Sequence, residues 1–197
     1  MASDNTAKRS TSDPKNVITP KCRMVWPALF NPQKMRGQSD DQAKFQISVL
    51  IPKDANIDLL NEVAKEAREE KFGKAKATIR SPFRKTAEKD ALADLADDFP
   101  TYITARSKDR PGVVGPNGKA VDDPEQVYSG RWCRVSVQAF GYDQSGNKGV
   151  SFGLQNVQLL DNDDPLAVGG QRVAAESEFD AVEVAGEEGK STDELWE

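Results

Sequence analysis

Histidine is absent from this sequence of 197 residues. Its absence removes the Ser-His-Asp and Cys-His triads, the commonest general base and the usual zinc ligand. Cysteine is nearly absent, with only Cys22 and Cys133. Two cysteines cannot build a structural zinc site. Each stands in an alternating apolar run, where a buried free thiol in a reducing compartment is expected. An enzyme made from this chain would be left with carboxylate or lysine chemistry. No apolar run approaches the roughly 18–20 residues of a membrane-spanning helix. The opening stretch, MASDNTAKRSTSDPKN, has no apolar core of the kind a secretory signal needs, so an intracellular protein is expected. No internal repeat is visible.

What is present suits one modest core. The apolar fraction is 37% and the charged fraction 30%. About 40–60 residues of tail and loop are expected outside that core. The net charge of −5 hides a division. From Asp161 onward there are twelve acids against two bases, Arg172 and Lys190. Residues 1–160 carry 25 bases and 20 acids. A mildly basic body thus precedes a strongly acidic tail, and such tails are solvated and often serve as interaction segments. Three parts are expected: a disordered segment over 1–20, a folded domain over 21–166 and a disordered acidic tail over 167–197.

Periodicity places the elements. Residues 21–30 alternate as a strand, with Cys22, Met24, Trp26, Ala28 and Phe30 on one face. Residues 43–51 form a second strand: Phe45, Ile47, Val49 and Ile51 point one way, Lys44, Gln46 and Ser48 the other. The period then changes. Leu60, Val63, Ala64 and Ala67 have helical spacing over 57–73, with Asn56 as the cap and Gly73 as the stop. A basic connection, KAKATIRSPFRK, leads to a short helix over 86–97. Residues 101–108 read as a third strand, 109–125 as a loop with a Pro-Asn-Gly turn, and 127–143 and 148–160 as a hairpin. The fold class is therefore mainly β: an OB-fold-like five-stranded barrel with an inserted helix. An open sandwich is the competing architecture.

The fourth strand carries the most chemistry. Its alternation separates Cys133, Val135, Val137 and Ala139 from Trp132, Arg134, Ser136, Gln138, Phe140 and Tyr142. The first set is small and apolar and suits a barrel interior. The second mixes aromatics with arginine and amides. Aromatic faces beside cations are what single-stranded nucleic acid requires, since every base offers a π-face worth roughly 1–3 kcal/mol in stacking. The third strand repeats the theme with Tyr102, Arg106 and Lys108, and Arg110 follows it. Arg80, Arg84, Arg131 and Lys148 complete a set able to track phosphates. The competing use of Trp132, Phe140 and Tyr142 is packing under the inserted helix or in a homodimer interface.

Two motifs fail on inspection. GVVGPNGKA (112–120) looks like a phosphate loop, but its glycine spacing is one too long and Ala120 stands where Ser or Thr should meet magnesium. The acid pairs Asp40-Asp41, Asp97-Asp98, Asp122-Asp123 and Asp163-Asp164 lie in loops or at element ends, where turns alone account for them. A magnesium-dependent carboxylate nuclease and a structural scaffold are the alternatives kept against a binding protein.

The run VYSGRWCRVSVQAFGYDQSGNKGVSFGLQNVQLLDNDDPL (127–166) resembles the single-stranded DNA-binding proteins of tailed phages, long known as a domain of unknown function. The features are Tyr128-Ser129-Gly130, the SGNKG turn from Ser145 to Gly149, and Gly153 to Gln158. FQISVLIPKD (45–54) and ITARSKDRPGVV (103–114) are similar to the same family, in the same order. The resemblance implies an OB-fold core that coats single-stranded DNA in phage replication and recombination, without a cofactor, in the cytoplasm of an infected cell. The family's compact proline-arginine-aspartate-glycine segment is replaced here by SPFRKTAEKDALADLADDFP, so no site is carried over from that stretch. Many single-stranded DNA-binding proteins end in an acidic tail with a late aromatic, and DELWE looks similar. Asp193, Glu194, Leu195, Trp196 and Glu197 are thus the expected docking point for replication and recombination proteins, on a tail that also competes with DNA.

Overall fold

Alternation along the chain becomes a set of strands whose pairing closes on itself. In the computed structural model, residues 5–34, 37, 39–73, 78–144 and 146–168 are described. The strands among them are β1 (Lys8–Arg9), β2 (Val17–Ile18), β3 (Cys22–Gln33), β4 (Lys44–Ile51), β5 (Phe83–Lys85), β6 (Thr101–Ser107), β7 (Gly112–Val114), β8 (Trp132–Gln144) and β9 (Asn147–Leu159). Among the described residues one α-helix, α1 (Asp58–Phe72), lies between β4 and β5.

β3 pairs antiparallel with β4, and β4 with β6 from Phe45↔Ser107 to Ile51↔Thr101. β6 meets β9 in parallel at Ala105↔Phe152, β9 returns antiparallel on β8, and β8 reaches β3 at Cys22↔Cys133. Five strands therefore form a closed ring, as the OB-type expectation requires. The inward alternates fill it: Met24, Ile47, Val49, Ile103, Val135 and Phe152 are all at most 2% exposed. Burying a side chain of this size contributes about 1.5–3 kcal/mol. Cys22 and Cys133 are free and buried, and burial pushes the Cys22 thiol up to about 12 and the Cys133 thiol well up too.

The helix forms where the period said it would. Asn56 Oδ1 accepts the Asp58 N–H at 2.9 Å, and Leu60, Val63, Ala64 and Ala67 are its buried residues. Gly73, at φ 57°, ends it with its N–H donating to the Glu69 carbonyl at 2.8 Å. The helix crosses β8 at Gly141, where a Cβ would stand 2.5 Å from Lys71 Cβ.

Other expectations need correction. Residues 5–20 are not without structure: β1 and β2 extend the sheet past β8, Val17 is fully buried, and Thr19 Oγ1 accepts the Val135 N–H. Two-residue strands are too short to show a period in a polar stretch. The even alternation over 21–30 breaks at Trp26, whose φ is 48°, with register shifts between Val25 and Ala28. Pro27 removes a ladder donor there. Leu29 takes the core position instead, and Trp26 joins a second cluster around Val25, Leu50, Leu92 and Phe99. The expected helix over 86–97 is two 3₁₀ segments, Thr86–Glu88 and Asp90–Leu95. The loop at 109–125 contains β7, parallel to β9. Residues 127–131 precede β8 rather than begin it, because Gly130 turns there at φ 111°. The expected tail over 167–197 lies outside the described residues beyond Val168.

Candidate nucleic-acid interface

Alternation on β6 sends Ile103 and Ala105 inward and Tyr102, Thr104 and Arg106 outward. β4 lies beside it with Lys44 and Gln46 outward, and Ser48 Oγ and Thr104 Oγ1 are bonded at 2.7 Å between the two strands. Phe140 and Tyr142 project from the far half of β8. The connector from Arg80 to Lys85 runs between β9 and β6: the Arg80 main chain bridges to Gly149, and β5 pairs with Tyr102 through Arg84. Together these walls enclose an open groove of about 560 Å³.

Three aromatics, Tyr102, Phe140 and Tyr142, and four cations, Lys44, Arg84, Arg106 and Lys108, line it. So do five carboxamides: Gln33, Gln42, Gln46, Gln144 and Asn147. Among the described residues no carboxylate lines it, although the chain has more acids than bases. Phe140 is 46% exposed, a large apolar ring left open to solvent. Arg106 Nε donates to Gln46 Oε1 at 3.1 Å, which turns the guanidinium across the β4–β6 pair.

Six of the twelve residues expected to touch nucleic acid meet in this groove: Arg84, Tyr102, Arg106, Lys108, Phe140 and Tyr142. The others stand elsewhere. Arg80 is exposed beside it, bonded to β9 through its main chain. Lys148 pairs with Asp143 at 3.5 Å across the hairpin. Arg110 pairs with Asp122 at 3.2 Å and lies 5.1 Å from the Phe30 ring centre. Arg131 is 6% exposed and donates to the carbonyls of Gln126 and Leu160. Arg134 sits opposite Gln158 in the near half of β8. Trp132 is about 26 Å along the strand from Phe140. Asp193, Glu194, Leu195, Trp196 and Glu197 lie outside the described residues. Lys44 and the carboxamides are additions to the expected set, although the outward alternation of β4 already marks Lys44 and Gln46.

Trp132 belongs to a different construction, a strap made by residues 161–168. Asp161 pairs with Lys21, and Asp163 with Arg23 at 3.3 Å. Trp132 Nε1 donates to Asp163 Oδ2 at 2.8 Å, and Lys21 and Arg23 stand 5.0 and 5.7 Å from the Trp132 ring centre. The Leu166 N–H donates to the Ser129 carbonyl at 2.8 Å. Gly130 allows the close approach: a Cβ there would lie 2.6 Å from the Asp164 carbonyl oxygen.

The hydrogen bond from Lys21 holds the Asp161 carboxyl below the usual range, and those from Trp132 and the Asp164 N–H do the same for Asp163. A lowered folded value stabilises the strap above the unfolded carboxyl pKa. That contribution is lost as pH falls through the folded values. A change in Trp132 fluorescence is therefore expected below about pH 4. It should be absent in the Asp161→Asn/Asp163→Asn double variant. An unchanged acid transition in that variant would show that these two carboxylates do not hold the strap.

The family described as Enterobacter phage Enc34, ssDNA-binding protein, matches residues 15–191. The C-terminally truncated single-stranded DNA-binding protein from bacteriophage Enc34 is similar in structure, with a TM-score of 0.66 at 16% identity over 82% of this chain and 92% of that one. The Enc34 protein in complex with ssDNA gives 0.61 at 19% identity, over 78% and 90%. Gp2.5, a single-stranded DNA-binding protein encoded by bacteriophage T7, gives 0.57 at 14% identity, over 81% and 98%. No curated protein sequence matches the chain. At these identities the solved structures speak for the fold, while the matched 15–191 span places the chain in the Enterobacter phage Enc34 ssDNA-binding protein family.

Proposed function

We propose that this protein binds single-stranded DNA without sequence preference and coats and protects it during phage DNA replication and recombination. The observation that carries the reading is the groove, which gathers three aromatics and four cations with no carboxylate among its described lining residues. Stacking tolerates every base, and the cations meet a backbone common to every sequence. The family match and the ssDNA complex of the Enc34 protein support the same reading. Among the described residues no helix is long and apolar enough to cross a membrane, and action in the cytoplasm of the infected cell belongs to the proposal.

Four phosphate contacts predict that log K falls against log salt with a slope of about −2.8, and that removing one groove cation reduces the slope by about 0.7. Fluorescence anisotropy of labelled oligo-dT at several salt concentrations measures both. Arg131→Ala serves as the contrast: it should lower stability by about 1–3 kcal/mol through its two stranded carbonyls and leave the slope unchanged. Duplex DNA competing as well as oligo-dT would refute the reading. Magnesium-dependent cleavage of the oligonucleotide would favour the nuclease alternative.

The proposal extends to the acidic tail. A tethered polyanion competes with DNA for the cationic groove, and Leu195 and Trp196 offer partner proteins an apolar anchor set in acid. Deleting residues 176–197 is expected to tighten oligo-dT binding, most at low salt. Unchanged affinity would remove the competition from the proposal.

A further inference from the structure

The two rings that β8 sends into the groove are seated differently on β9. Phe140 faces Ser151, and Tyr142 faces Gly149. A Cβ built on Gly149 would stand 2.5 Å from Tyr142 Oη, 2.6 Å from Cζ and 2.8 Å from Cε1. The phenol therefore fills the space that any side chain at 149 would take. The Gly149 backbone does not itself call for glycine, since 149 is not among the positive-φ positions. The main chain of Arg80 is bonded on both sides of this residue. Its N–H donates to the Lys148 carbonyl, and its carbonyl accepts the Val150 N–H, both at 3.0 Å. Gly149 is thus covered by a ring and pinned by a neighbouring backbone.

We propose that Gly149 is a positioning residue of the groove. Its missing side chain lets Tyr142 lie across β9 as a fixed stacking surface, with the Arg80 bridge holding the base of that surface in place. The inference rests on the single-stranded DNA reading. A ring already fixed loses little freedom when a base stacks on it, so preorganisation adds to affinity.

The test is a double-mutant cycle read by anisotropy of labelled oligo-dT, using the full chain, Gly149→Ala, Tyr142→Ala and the double variant. Tyr142→Ala should weaken binding roughly 5- to 150-fold. Gly149→Ala should approach the same loss, because the added methyl displaces the ring. The double variant should bind no more weakly than Tyr142→Ala alone. It should also fold even if Gly149→Ala does not, since the clash has gone. Gly153→Ala is the control, because a Cβ there meets nothing closer than 3.6 Å, and it should bind within about twofold of the unaltered chain. Equal losses from Gly149→Ala with and without the Tyr142 ring would overturn the positioning role alone. Failure to fold of both chains that carry Gly149→Ala would overturn it too. No binding of oligo-dT by the unaltered chain would overturn the functional reading itself.

Discussion

Alanine at both Phe140 and Tyr142 should weaken oligo-dT binding by roughly 30-fold or more, since each ring offers stacking worth about 1–3 kcal/mol. No other pair of substitutions should cost binding so much with so little cost to the fold. Phe140 is 46% exposed, so its removal leaves no cavity. Tyr142 rests on a glycine, so its removal strands no partner side chain on β9. The measurement is anisotropy of labelled oligo-dT at fixed salt, with thermal melting as the control for folding. The salt slope should stay where it was, because rings do not displace counterions. A loss below about threefold would mean that the DNA path avoids β8, and the cations of β4 and β6 would then have to hold the strand alone.

Phe152→Ala should have the largest effect on stability, about 3–5 kcal/mol. Phe152 is fully buried inside the ring, opposite Ala139 on β8 and paired with Ala105 on β6. It stands where the parallel β6–β9 contact closes the ring, so neighbours on both strands would have to collapse to fill the void. Its ring meets Phe83 edge-on at 5.7 Å and 77°. Phe83 is the residue before Arg84, and a cavity behind it would loosen the groove wall as well. Chemical denaturation gives the loss directly. A change under about 1 kcal/mol would mean that the ring interior does not pack around this side chain. At such a total cost the variant sits near the limit of what a domain of marginal stability can bear.

The parts of this molecule that were legible in the sequence are those long enough to show a period. β4, β6, β9 and the near half of β8 alternate, and α1 repeats Leu60, Val63, Ala64 and Ala67 at helical spacing. β1, β2, β5 and β7 are two or three residues long and have no period to read. Their pairing is decided by tertiary contacts, as when Val17 is fully buried beside β8. β3 misled for another reason: a residue at φ 48° before a proline changes which side chains face inward, and alternation cannot anticipate it.

The groove followed the same logic. Tyr102 and Arg106 are alternates on β6, and Phe140 and Tyr142 are alternates on β8, so alternation placed each pair correctly on one face. It could not place Trp132 relative to Phe140. A strand of thirteen residues twists, and one face at its start points elsewhere at its end. Arg84 was reachable only as part of a dense basic run, because the three-residue strand that carries it has no alternation of its own. Arg131 shows the limit of charge counting. A basic residue at the root of a strand carries the same weight in a composition list whether it faces phosphate or, as here, two carbonyls of its own chain.

The order in which the ring closes bears on how the chain is made. β3, β4 and β6 pair in sequence as they emerge, but β6 has no ring partner on its other side until β9 exists, and β3 must wait for β8. At a synthesis rate of about 5–20 residues per second, the stretch from Ser107 to Leu159 takes several seconds. During that interval the outer edge of β3 stands open and the short β5 covers only part of the free edge of β6, an arrangement prone to pairing with a neighbouring nascent chain. Closure of pairings so distant along the chain is also slow in itself. A host making this protein in quantity therefore meets its hazard before the first complete molecule is released, and a chain cut short anywhere before Leu159 should accumulate as aggregate rather than as a smaller binding domain.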